Sequence, residues 1–162
     1  MGPLPIRLFC FLPWLAWLAI LPLCSGCRAP RDSDLFLTSG PGWRIQEGQA
    51  LWRPRRGIPE LGGDIVMASH TDGRCVIQFT KTPLPLVLAQ TSRTNWLIQF
   101  PPRQMGFMGR GAPSRQFAWL HLHAALHGEA IPAGFHFEQK PGGGWRLENP
   151  GSGESVDGFL EP

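Results

Sequence analysis

From Trp43 onward glycine and proline cut the chain into short runs, and most of these runs alternate apolar with polar residues. Alternation with period two marks a strand with one buried face, and breakers at this density leave room for strands of about five to ten residues but not for long helices. Such runs fall at residues 43–52, 63–69, 74–81, 86–90, 95–100, 104–108, 135–139, 144–148 and 155–160, which makes about nine strands. The sharpest hairpin signal is His70-Thr71-Asp72-Gly73, because Asp-Gly supports the positive φ of a tight turn between alternating segments. Cys75, Ile77 and Phe79 then share one face, with Val76, Gln78 and Thr80 on the other. Trp96, Ile98 and Phe100 repeat the pattern against Leu97 and Gln99.

With Gly 20 and Pro 17 in 162 residues, a coiled coil, a long helical bundle and a multidomain enzyme are excluded. Seven Trp and ten Phe within 43% hydrophobic residues speak against wholesale disorder. One stretch breaks the strand pattern. Residues 115–127 lack Gly and Pro and place Phe117, Leu120 and Ala124 on one helical stripe, with Trp119, Leu122 and Leu126 beside it. The pattern predicts a single helix there, with Ser114 as its N-cap and Gly128 at its end. The expected fold is mainly β: a curved antiparallel sheet or open half-barrel, with the helix covering its concave face. That arrangement leaves either an apolar cavity or a packed core.

The first 26 residues read as an export signal. Arg7 supplies the positive start, an uncharged apolar run covers residues 8–23, and small residues precede Cys27. The run is short for a membrane span. Leu23-Cys24-Ser25-Gly26-Cys27 resembles the lipobox of bacterial lipoproteins, with Cys24 where a Leu is usual; an uncleaved anchor and ordinary signal cleavage are the alternatives. The resemblance implies lipidation of Cys27 with a diacylglycerol and an amide-linked acyl chain. At about 0.8 kcal/mol per buried CH₂ these together hold a protein on a membrane, where one chain is marginal. Cys10 and Cys24 would leave with the signal, so Cys75 would remain alone and without a disulfide. It is either a small buried hydrophobe or a reactive thiol. In lipoproteins of enteric bacteria, Asp after the lipidated cysteine retains the protein at the inner membrane; Arg28 stands here, which by resemblance implies the periplasmic face of the outer membrane. Residues 27–42 are polar and read as a flexible tether, leaving residues 43–162 as the domain.

The strand order, the Asp-Gly hairpin, the apolar connection Thr82-Pro83-Leu84-Pro85-Leu86 and the lid-like segment from Phe117 to Leu126 together resemble the LolA/LolB superfamily of lipoprotein carriers and receptors. Lipidation makes the chain more similar to the receptors, although it is shorter and has fewer strands and lid helices. The resemblance implies a half-barrel whose apolar interior accepts acyl chains of lipoproteins or other lipids, with a periplasmic carrier protein as partner. It also implies an exposed Leu that touches the membrane after an early strand. Leu84, flanked by Pro83 and Leu86, stands at that place; packing under a loop is the alternative. Ile77, Phe79, Trp96, Ile98, Phe100, Phe117, Trp119, Leu120, Trp145 and Leu147 would line the cavity, or else form plain core.

Function as an acyl-chain receptor needs no nucleophile, metal or cofactor. Triacylated cargo exposes tens of kcal/mol of apolar surface in water, and an apolar pocket is the physical requirement. A protein-docking module of the envelope is the competing reading, and a histidine-dependent hydrolase a third. His123 and His127 share a helical face while His121 points away, so three histidines cannot form one site, and a pair would need His136 or Glu129 as third ligand. Gly151-Ser152-Gly153-Glu154-Ser155 lacks the G-x-S-x-G nucleophile pattern and reads as a hairpin turn. Arg53, Arg55 and Arg56 form the densest basic patch, either solvated surface or a site for anionic headgroups or an acidic protein. Basicity does not point to nucleic acid: the net charge is only +3.

Overall fold

The computed structural model describes residues 40–161. The export signal, Cys27 and most of the expected tether lie outside the described residues. No helix among them is long and apolar enough to cross a membrane.

Nine antiparallel strands form one open sheet: β1 (Trp43–Arg53), β2 (Leu61–His70), β3 (Cys75–Lys81), β4 (Leu84–Thr91), β5 (Asn95–Phe100), β6 (Met105–Arg110), β7 (His136–Gln139), β8 (Gly144–Asn149) and β9 (Glu154–Leu160). Their order is β6-β5-β4-β3-β2-β1-β9-β8-β7, so β6 and β7 are free edges and the sheet does not close. Two meanders, β1 to β6 and β7 to β9, meet where β1 pairs with β9. Glycine makes that junction possible. A Cβ on Gly48 would collide with the carbonyl oxygen of Phe159, and one on Gly158 would lie 2.5 Å from that of Gln49.

The β2–β3 hairpin forms as the sequence predicts. Gly73 has φ +91°, and its N–H donates to the His70 carbonyl at 2.9 Å. Alternation also holds across the register, where Ile65 stands opposite Phe79, Met67 opposite Ile77, and Ala89 opposite Ile98. All six are buried, so one face of the sheet carries the core. On the opposite face Asp157 ties β9 to β8 and to the β7–β8 turn, accepting from Arg146 at 3.2 Å and from Lys140 at 2.6 Å.

The predicted single helix is corrected. Between β6 and β7 stand a 3₁₀ turn, Ala118–Leu120, and a five-residue helix α1, Leu122–Leu126. Three observations explain the break. Phe117 is extended (φ −121°, ψ 115°), the Ala118 N–H donates to a carboxylate of β9 instead of joining a helical ladder, and His121 (φ −110°, ψ −5°) separates the two pieces. Ser114 does not cap the helix; its Oγ accepts from the Gln116 N–H at 3.3 Å in a local turn. Gly128 does end it, with φ +69° and its N–H bonded to the Ala125 carbonyl. Ala118, Trp119, Leu120, Leu122 and Ala125 join the core formed by the sheet.

Candidate functional site

The interior shows how the expected lining residues are used. Ile77, Phe79, Ile98, Trp119, Leu120, Trp145 and Leu147 are buried in a single apolar cluster, and Trp96, Phe100 and Phe117 pack against it half-buried. Of the two alternatives left by the sequence, cavity lining or plain core, these residues form packed core. Trp119 is the plug: its ring lies 5.2 Å from Phe79 and 6.0 Å from Trp52, while Trp52 stacks at 6.1 Å on Phe100. A large aromatic in the middle of a sheet this small uses up the volume that a chain would need. Its indole N–H has no hydrogen-bond partner among the described residues, so the plug carries the cost of an unsatisfied buried donor, about 1–3 kcal/mol.

A buried carboxylate latches the plug. Glu154, the first residue of β9, accepts from Trp52 Nε1 at 3.1 Å and from the Ala118 N–H at 2.7 Å. Burial pushes its pKa up to about 7, against the two hydrogen bonds, which favour the charged form. Sequence reading passed over Glu154 as part of a turn. Its signal was parity: Glu154 is in step with Val156, which is fully buried.

At the same end of the sheet lie the turns after β1, β3 and β5, and the residues expected to touch lipid. Leu84 is 59% exposed in the β3–β4 hairpin, and Pro83 beside it is also exposed. Ile58 and Met105 are exposed at this end too, in the company of Arg55, Arg56, Lys81 and Arg103. Arg53 leaves the basic patch by pairing with Glu60. Leu86 departs from expectation. The β3–β4 register slips between Phe79 and Thr80, and Leu86 is the extra residue of the resulting bulge, packed against the core instead of flanking Leu84 outside. Pro85 costs no ladder bond to β5, whose pairing with β4 begins only at Leu88.

The opposite end opens into a cleft of about 910 Å³ between the sheet and the loops around α1. Of the ten expected lining residues only Leu120 reaches it; its walls carry Arg44, Arg93, Arg115, Ser69, Thr91 and the helix histidines. His121 is buried, with Nε2 2.9 Å from the Ser114 carbonyl, and burial lowers its pKa. His123 and His127 face each other at 4.2 Å between ring centroids. The pKa of His123 is lowered, first by burial and then by His127, against a rise from Glu129. Among the described residues no three His, Cys, Asp or Glu side chains are grouped so as to hold a metal ion. Cys75 is buried and free, and its thiol is pushed up to about 12 by burial, which makes it a core residue and a poor nucleophile. No protein-family model matches this chain. No curated protein matches it either.

Proposed function

We propose that this chain is a non-enzymatic lipoprotein of the cell envelope, anchored through Cys27 at the periplasmic face of the outer membrane, which works at the lipid surface in the localisation of lipoproteins or other lipids. One observation carries the reading: the exposed Leu84 at the β3–β4 turn, at a sheet end that also exposes Ile58, Met105 and four cations. Apolar tips among Lys and Arg suit an anionic bilayer, the tips entering the acyl boundary and the cations meeting headgroups. Reach does not oppose it. Sixteen residues from Cys27 to Gly42 span at most about 50 Å, more than the roughly 35 Å length of β1, so the anchor permits this end to face its own membrane.

In this reading an acyl chain enters the sheet only when the Trp119 segment swings aside, breaking the hydrogen bond from the Ala118 N–H to Glu154. The test is flotation of the domain without its lipid anchor, residues 40–162, on vesicles containing phosphatidylglycerol, with lipid that co-purifies with the domain identified by mass spectrometry. Binding lost in Leu84→Glu with folding intact supports the proposal, and equal flotation of the variant rejects it.

A second reading is favoured by the filled interior. A solidly packed sheet suits a protein-docking module of the envelope, which needs a firm surface and no cavity. Absence of any co-purified lipid, together with unchanged flotation of Leu84→Glu, would favour that module over a lipid-handling role.

A further inference from the structure

We propose that the cleft at the other end of the sheet, away from Leu84, binds a phosphate-bearing ligand. The cleft begins as a continuation of the core-bearing face. Arg44, Ser69, Cys75 and Thr91 form one cross-strand row over β1 to β4, and the next row inward is Gln46, Met67, Ile77 and Ala89, apolar on β2 to β4. A guanidinium and two hydroxyls therefore stand at the mouth of the interior. Two further arginines arrive from independent elements, Arg93 from the β4–β5 turn and Arg115 from the loop before Ala118–Leu120.

Among the described residues these three arginines make no ion pair, and Glu129 is the only carboxylate on the cleft wall. Of the other described arginines, Arg53 pairs with Glu60, Arg74 with Asp72, and Arg146 with Glu148 and Asp157, while Arg55, Arg56, Arg103 and Arg110 stand on other parts of the surface and do not converge on this cleft. Three positive charges around one space repel one another, and an anion placed there turns that repulsion into attraction. The guanidinium fork, charged at every physiological pH, matches phosphate oxygens two at a time, and Ser69 and Thr91 add hydroxyl donors. A cleft of about 910 Å³ is far larger than a phosphate ion and leaves room for the remainder of an ester. Leu120 on its wall offers that remainder an apolar contact. A lipid headgroup and a free phosphate share this chemistry.

The experiment titrates the full chain in non-ionic detergent, by calorimetry, with dihexanoyl phosphatidic acid, inorganic phosphate and, as the uncharged control, dihexanoylglycerol. Phosphatidic acid is expected to bind at least about tenfold more tightly than dihexanoylglycerol. The double variant Arg93→Ala with Arg115→Ala, both exposed loop positions, should lose about tenfold or more of that affinity with its melting temperature unchanged. Affinity should also fall between about 0.1 M and 1 M salt, as the screening length shrinks about threefold. Inorganic phosphate binding as tightly, with the same arginine dependence, supports the site and assigns it to a free phosphate; preference for phosphatidic acid assigns it to a lipid headgroup. Equal binding of dihexanoylglycerol, full affinity in the double variant, or indifference to salt overturns the proposal. Because the site lies apart from Leu84 and is tested without vesicles, its failure leaves the membrane reading standing, and the reverse.

Discussion

The two ends of the sheet are built from the same nine strands and end in opposite chemistry. At the Leu84 end the interior is closed by Trp52, Phe79, Phe100 and Trp119, while the turns outside carry apolar tips and cations. At the Arg44 end the core-bearing face turns polar and opens into the cleft. Strand alternation sets only which face is buried along the middle of each strand. What each end presents depends on the connections there. A sheet open at both edges can thus keep a firm centre and two unlike working surfaces.

This contrast can be broken most forcefully at the plug. Trp119→Ala should cost about 3–5 kcal/mol in denaturant unfolding, the usual cost of truncating a buried tryptophan. A loss under about 1 kcal/mol would mean that the closed end is loosely packed and that the two ends differ less than the contacts indicate.

Glu154 gives the next largest effect, and its sign is opposite to that of the histidines. Its pKa is raised in the folded protein from 4.5 to about 7, so the folded state holds the proton more tightly than the unfolded chain. Between these values stability falls as pH rises, on the order of 3 kcal/mol in total from this group, and is level above pH 7. His121 and His123, lowered from 6.5, act the other way, costing stability as the pH drops below 6.5. Glu154→Gln should therefore be more stable relative to the native chain at pH 8 than at pH 4.5, measured by urea unfolding at both. An equal difference at the two pH values would show that Glu154 ionises freely and does not act as a latch under strain.

The outer surfaces give smaller changes that are easier to separate. Leu84→Glu should weaken vesicle flotation about tenfold, worth about 1.4 kcal/mol, while shifting unfolding by no more than about 0.5 kcal/mol. Arg93→Ala alone should leave unfolding within about 0.5 kcal/mol and flotation unchanged, since it lies at the far end. If Arg93→Ala and Leu84→Glu reduced flotation alike, the two ends would not be separate surfaces.

The strand plan was legible because breakers and alternation are local signals. Asn95–Phe100 is bounded as read, and Trp43–Arg53 and Cys75–Lys81 lie within one residue of expectation. The helix was misread for a physical reason. Helical spacing of apolar residues assumes one continuous element, whereas Glu154, 36 residues away from Ala118, takes the N–H that would have started it. Leu86 was misplaced in a similar way, since a bulge shifts parity without leaving a mark in composition. The arginine cleft was invisible for a third reason. Arg44, Arg93 and Arg115 are far apart along the chain and meet only through strand pairing and one loop.

Sequence by itself determined that this chain makes a one-faced, many-stranded antiparallel sheet with sharp turns, because periodicity and turn chemistry act over a few residues. Only the tertiary structure decided that its interior is filled by Trp119, that Glu154 holds the filling in place, and that three arginines converge on one cleft. Volume, burial and charge convergence depend on residues distant in sequence, and no local rule adds them up before the strands have paired.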